Sequence, residues 1–156
     1  MIKKIVKIIL IVLWCGLIFM FSNDTGGTST KKSDGLIVRT VEKVIKRKLS
    51  SEEKDKVLKY LVVPVRKSAH LFIYFILGIL IISLLREYRD IDIKMILLAV
   101  FLGLLYACSD EVHQLFIKGR SCEVRDVLID TVGVSLGVLL YSLIYRFRRR
   151  KKNCIS

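Results

Sequence analysis

Met95-Ile-Leu-Leu-Ala-Val-Phe-Leu-Gly-Leu-Leu-Tyr-Ala-Cys108-Ser109-Asp110-Glu111-Val112-His113-Gln114-Leu115-Phe116 runs from a purely apolar stretch straight into two adjacent carboxylates. As a helix, the uncharged part from Met95 to Cys108 reaches only about 21 Å at roughly 1.5 Å per residue, short of the ~30 Å core of a bilayer. Extended to Phe116 it reaches about 33 Å, and Asp110, Glu111, His113 and Gln114 then lie inside one edge of the membrane. Ionisable groups at that depth are costly, so each needs a partner or a task.

The rest of the chain fits the same frame. Its 156 residues are 53% hydrophobic and 26% charged, fractions that coexist when apolar spans alternate with charged flanks. Three more apolar stretches stand out: Ile5 to Phe21, broken only by Lys7, Ala69 to Leu85 with His70, and Val127 to Tyr145 with Asp130. The expectation is an all-α integral membrane four-helix bundle, a single domain over 1–156. Its spans are expected near 5–22, 68–86, 94–116 and 126–146, with a polar segment 23–67 that contributes an extra amphipathic interfacial helix. The first stretch reads as an anchor rather than a signal peptide: no small-x-small cleavage site precedes Asn23, and the core continues through Trp14, Phe19, Met20 and Phe21.

A net charge of +13 in a soluble protein would suggest nucleic acid; here the cations flank spans, and no nucleic-acid partner is expected. Tight basic clusters abut the first span at Lys3, Lys4 and Lys7 and the last at Arg146 to Lys152, whereas the cations of 23–68 are diluted and mixed with acids. That density favours both termini on the cytoplasmic side of the membrane, with the acidic motif facing outward. Cys15 and Cys108 fall in spans, Cys122 in a loop and Cys154 in the tail, which argues for free cysteines.

In the polar segment, Asn23 to Gly35 has the composition of a flexible loop. Leu36, Ile37, Thr40, Val41, Val44, Ile45 and Leu49 then recur at helical steps among Arg39, Lys43, Lys46, Arg47 and Lys48. Such a basic amphipathic helix either lies on anionic headgroups or packs across the mouth of its own bundle. Ser50-Ser-Glu-Glu53 looks like an N-cap followed by acids, opening a short helix through about Tyr60 that Pro64 is expected to end.

Helical spacing gives each later span one polar stripe: Lys67, His70, Tyr74 and Leu77; Tyr106, Asp110, His113 and Gln114 with Glu111 at the margin; and Asp126, Asp130, Gly133, Gly137 and Tyr141. Gly133 and Gly137 make a small-xxx-small packing surface. Because successive spans reverse direction, His70, Asp110 to Gln114 and Asp126 come to one level. Arg120 lies in the loop over them, with Arg66, Lys67, Lys118 and Arg125 nearby. His70, Asp110, Glu111 and Asp126 are the candidates for catalysis, and Lys67, Tyr74, Gln114, Arg120 and Asp130 for binding. The acids and His70 handle protons or hold a ligand, or else they simply pair with their neighbours. No metal and no cofactor is expected, since no His-Glu-x-x-His pair is present and the cations oppose metal charge.

At these positions the chain resembles the VanZ-like family of small bacterial membrane proteins. Lys67-x-x-His70-x-x-x-Tyr74-x-x-Leu77-Gly78 is similar to its first signature. Ser109-Asp110-Glu111-x-x-Gln114-x-Phe116-x-x-Gly119-Arg120, followed by Asp126, is similar to its second, and Phe21-Ser22-Asn23 resembles the polar ending of its first span. One departure is Asp130, where the family pattern usually has Asn. An ionised Asp accepts but cannot donate, so Asp130 is either protonated or paired with a cation such as Arg120. The resemblance implies an envelope protein contributing to low-level resistance to teicoplanin or related lipid-seeking glycopeptides. Its implied partners are membrane lipids, lipid-linked cell-wall intermediates or the antibiotic itself, with the oligomeric state open. The alternative is a membrane-embedded hydrolase or transferase acting on a phospholipid or lipid-linked precursor.

Overall fold

The computed structural model describes residues 2–22, 26–117 and 124–153, with side chains described for all of these except 26–34, 37, 59, 62, 63, 66, 152 and 153. The described residues form five helices: α1 (Ile2–Ser22), α2 (Gly26–Ile45), α3 (Ser51–Leu85), α4 (Ile93–Gln114) and α5 (Val124–Asn153). Four segments are long and apolar enough to cross a bilayer: Ile2–Ser22, Lys67–Leu85, Ile93–Gln114 and Val124–Lys151. The chain is therefore an all-α, multi-pass membrane protein. At 22 residues, α4 has the length that the extended third span required, set two positions earlier, and Asp92 caps it by accepting from the Met95 N–H at 2.9 Å.

Among the described residues, helices α3 and α5 form the largest interface, α4 packs against both, and α1 leans on α3 and α4. Small residues set this arrangement, because helices in hydrocarbon associate by close packing rather than by leaving water. A Cβ added at Gly133 would lie 2.5 Å from the Leu71 carbonyl oxygen, and one at Gly137 would collide with the Phe75 carbonyl. On α3, Gly78 meets the Val134 backbone in the same way. The bundle exterior is correspondingly apolar, with Val12, Leu13 and Met20 of α1 and Leu128, Leu139 and Leu143 of α5 exposed.

Only 11% of the α1 span is buried, against 28%, 33% and 33% for the others, so its docking depends on a few polar contacts down one stripe. Lys7 Nζ donates to the Ser83 carbonyl at 2.8 Å and pairs with Glu87 at 2.6 Å. Trp14 Nε1 donates to the Ile73 carbonyl at 3.0 Å, and the Tyr106 hydroxyl donates to the Cys15 carbonyl at 2.7 Å. Ser22 completes the stripe at the far end.

Two expectations for the polar segment are corrected. Gly26 to Gly35 is helical, so α2 begins well ahead of Leu36; helix propensity is a weak prior that tertiary context overrides. Pro64 does not end its helix: α3 runs unbroken from Ser51 to Leu85. The ring deletes the bond to the Tyr60 carbonyl, yet both residues are exposed, so that carbonyl can be served from outside the helix. At the start of α3 the capping box does form, with Ser50 Oγ accepting from the Glu53 N–H at 3.3 Å and Glu53 accepting from the Ser50 N–H at 2.9 Å.

Helix α2 packs against α3, its end marked by Lys46 in the left-handed conformation at φ 54°. That turn is unfavourable for a side chain bearing Cβ, and clamps on both sides hold it. Arg47 grips Glu53 through two bonds of 3.0 and 2.6 Å, and Glu42 accepts from the Leu49 N–H at 3.0 Å. The Arg47 guanidinium and the Ser50 N–H together hold the Glu53 carboxyl down at about 2.

Candidate functional site

The alternation of span direction brings the ends of α1 and α4, the start of α5 and the middle of α3 to one edge of the bundle, where their polar side chains meet. Ser22 closes α1, Lys67, His70 and Tyr74 follow one stripe of α3, Asp110, Glu111 and Gln114 close α4, and Asp126 and Asp130 open α5. Burial is nearly complete: Ser22, Tyr74 and Asp130 are 0% exposed, Glu111 2%, and Asp110 and Gln114 3%.

Asp110 is the hub. Its Oδ2 accepts from the Ser22 hydroxyl at 2.8 Å, the Gln114 amide at 3.2 Å and the Tyr74 hydroxyl at 3.3 Å, joining α1, α3 and α4 through one oxygen. Its Oδ1, also buried, has no donor among the described residues. Asp130 lies beside it with no hydrogen-bond donor on either oxygen among those residues; His70 faces it, Nδ1 to Oδ1 at 3.6 Å. At the rim Lys67 pairs with Asp126 at 2.9 Å. A small cavity of about 20 Å³ opens among Lys67, His70, Gln114, Asp126, Ile129 and Asp130, room for about one water molecule.

Two carboxylates this deeply buried do not stay ionised together without compensation, since an uncompensated charge in such a setting is strongly unfavourable. A proton, an imidazolium or a bound cation each supplies it. The cluster is therefore equipped to move a proton between Asp110, Asp130 and His70, to hold a cation, or to orient water.

Of the residues that the sequence singles out, His70, Tyr74, Asp110, Gln114, Asp126, Asp130 and Lys67 come together here. Glu111 is buried one step round α4 from the hub. His113 instead stacks on Phe19 of α1, ring centroids 4.2 Å apart, and Tyr106 serves the α1 stripe rather than the cluster. Arg120, with Lys118, lies outside the described residues, as does the side chain of Arg66. The chain matches the VanZ/LLP1 family over residues 7–145. It belongs to that family. No curated protein and no solved structure matches it. The VanZ/LLP1 match spans every residue of the cluster, including Ser22, which sequence reasoning noted only as part of Phe21-Ser22-Asn23 and gave no place in the site. A hydroxyl closing an apolar helix at the level of the acids was the signal for it.

The opposite edge carries a second polar layer of plainer purpose. Arg86 donates to the Tyr141 hydroxyl at 3.3 Å and lies over the Tyr145 ring, while Asp90 receives Tyr145 at 2.8 Å and Arg149 at 2.9 Å. Tyr145 and Arg149 hold the Asp90 carboxyl below its usual range, and Lys7 does the same for Glu87. These pairs fasten the short α3–α4 connection to the end of α5.

Between the two layers, α1 leaves an apolar hollow of about 240 Å³ against α3 and α4, lined by Ile11, Cys15, Leu77, Ile81, Leu84, Leu85, Leu102 and Tyr106. Leu77 is one turn below Tyr74, and Tyr106 one turn below Asp110. The polar cluster thus sits directly on top of an apolar groove.

Proposed function

We propose that this VanZ/LLP1 member works in the bacterial plasma membrane, with both termini cytoplasmic, as an envelope protein that engages an amphiphilic ligand at the outer edge. The ligand is an envelope lipid or the lipid-seeking glycopeptide itself, and the outcome is low-level resistance to teicoplanin or related lipoglycopeptides. The observation that carries this reading is the stacking of polar cluster on apolar groove. A headgroup meets Lys67 at the rim, with Arg120 the further cation that the sequence offers, and an acyl chain lies in the hollow between α1 and α3, the usual pairing of many apolar contacts with few polar ones. Teicoplanin susceptibility of a deletion strain complemented in parallel tests it. Wild type should restore protection, whereas Asp110→Asn, Arg120→Ala and the groove-filling Leu77→Trp should not, at equal protein level in the membrane. Full protection by all three variants would remove both cluster and groove from the mechanism.

A second reading is favoured by one specific feature, the His70 and Asp130 pair beside a water-sized cavity. In a membrane-embedded hydrolase or transferase, Asp110, Asp130 or Glu111 would act as base, His70 as proton partner and Arg120 as electrostatic clamp. Lipid extracts of deletion and overexpression strains separate the two: an enzyme changes one defined lipid species in opposite directions, and a binding protein leaves the lipid profile as it was.

A further inference from the structure

We propose that His70, Asp110 and Asp130 form a binding site for one divalent transition-metal ion of the zinc or manganese class at the polar edge of the bundle. The three residues come from α3, α4 and α5, so no local spacing announces them. Each offers one ligand atom, and the three atoms lie within 4.8 Å of one another. Tetrahedral bonds of 2.0–2.2 Å place ligand atoms about 3.3–3.6 Å apart. His70 Nδ1 and Asp130 Oδ1 already stand at 3.6 Å. Closing the remaining separation takes about 1 Å of side-chain movement.

The hydrogen bonding points the same way. Ser22, Tyr74 and Gln114 all donate to Oδ2 of Asp110, which leaves the buried Oδ1 without a donor among the described residues. A carboxylate held through one oxygen by surrounding donors and presenting the other is the usual arrangement of a metal ligand and its outer hydrogen bonds. Asp130 is 0% exposed with neither oxygen bonded by a donor among the described residues, a costly state for a carboxylate that a cation relieves.

Lys67 is matched by Asp126 at 2.9 Å, so this described cation does not oppose a dication held by the two inner carboxylates with His70 as neutral ligand. The imidazole favours zinc, manganese or iron over calcium or magnesium, which take oxygen ligands in larger number. The adjoining cavity of about 20 Å³ has room for the water that completes such a coordination shell. This inference rests on the cluster geometry alone and does not depend on the resistance reading.

The full-length protein in lipid nanodiscs, stripped with chelator, is titrated with Zn2+ and Mn2+ by calorimetry and with Co2+ by visible absorbance. Wild type should bind one ion per chain, give the intense Co2+ bands of a tetrahedral site, and unfold at higher temperature with metal than without. Asp130→Asn and His70→Ala should each weaken binding by at least about 100-fold, and Ser22→Ala by about 10-fold through the outer hydrogen bond. His113→Ala and Glu87→Gln should bind as wild type does. Should Asp130→Asn fail to assemble, His70→Ala keeps the test decisive, because it leaves the buried carboxylates in place. Absence of binding by wild type, or equal binding by wild type and His70→Ala, would overturn the site and leave a proton shared between Asp110 and Asp130 as the compensation.

Discussion

The convergence of three donors on one carboxylate oxygen makes a prediction about coupling rather than about any single bond. Ser22→Ala removes a fully buried bond of 2.8 Å, and Tyr74→Phe one of 3.3 Å. Interhelical side-chain bonds in membranes average about 0.6 kcal/mol and reach about 1.7. The short Ser22 bond to a carboxylate belongs near the upper figure, about 1.5 kcal/mol, and the long Tyr74 bond near the mean, about 0.6. After either change the two remaining donors can tighten on Oδ2. In the double variant only Gln114 is left, and Asp110 becomes a buried carboxylate with one donor on this oxygen. The double loss should therefore exceed the sum of about 2 kcal/mol and reach about 3–4, a coupling of the size seen between residues sharing one partner.

The chain supplies its own probe. Trp14 is the single tryptophan and donates to the Ile73 carbonyl at 3.0 Å, so its fluorescence reports whether α1 is docked. Unfolding in mixed micelles at rising SDS fraction, followed by Trp14 emission and by helicity, should show α1 leaving first in the double variant. If the double change lies within about 0.5 kcal/mol of the sum of the singles, the three donors act independently and the account of Asp110 as a hub is wrong.

Gly133→Ala should destabilise the bundle by about 1–3 kcal/mol in the same unfolding assay, because its Cβ would meet backbone of α3 that cannot yield. Gly16→Ala, where nothing lies within 4 Å, should be neutral or stabilise by up to about 1 kcal/mol. Glu87→Gln should leave stability nearly unchanged, since Lys7 and Glu87 keep 23% and 25% of their side-chain surface, such pairs are weak, and Lys7 retains the Ser83 carbonyl; a clear loss would mean that the pair is deeper in hydrocarbon than it looks. At the α2–α3 corner, Glu53 has a depressed carboxyl, so the stability it contributes is complete above its ordinary value of 4.5 and fades as pH falls toward about 2. Hydrogen exchange of residues 49–54, corrected for intrinsic rates, should hold steady from neutral pH to about 5 and rise below it. In Arg47→Met the onset should stay where it is but the rise should be smaller and complete at higher pH, because the folded carboxyl then lies nearer 4.5; a rise of wild-type size would show that Arg47 does not set the carboxyl.

Much of the fold was legible because it follows from lengths and alternation. The apolar run from Met95 needed its polar end to span a bilayer, and once it did, reversal of direction put His70, Asp110 and Asp126 at one level. The misread parts lie where weak local rules meet context. Pro64 looks like a stop in any sequence, but a proline on an exposed side of a capped helix costs one bond and need not end it. The composition of Asn23 to Gly35 reads as loop, yet residues from Gly26 onward are helical. Lys7, which seemed only to interrupt an apolar run, is partnered by Glu87, a residue from the connection after α3 that no periodicity ties to it.

The pairings inside the cluster were beyond the sequence for a different reason. Level is set by counting residues along a helix, but which side chains face each other depends on helix rotation and on how closely two helices approach. Here that approach is governed by Gly78, Gly133 and Gly137, which let α3 and α5 touch backbone to backbone. With the axes so close, Asp130, less than one turn before Gly133, is carried onto the His70 side of α3. Asp130, where the resemblance implies Asn, thus falls beside the close approach of α3 and α5 at Gly133, where a buried charge is hard to tolerate. A carboxylate in that place is understandable if something positive shares it, and His70 alone, at 3.6 Å, is a loose partner. Asp130→Asn is therefore the most informative single change in the protein. If the amide restores a self-sufficient hydrogen-bonding network, the variant should be more stable than wild type in the absence of added metal. If instead Asp130 is compensated by a proton or by His70, the variant gains nothing.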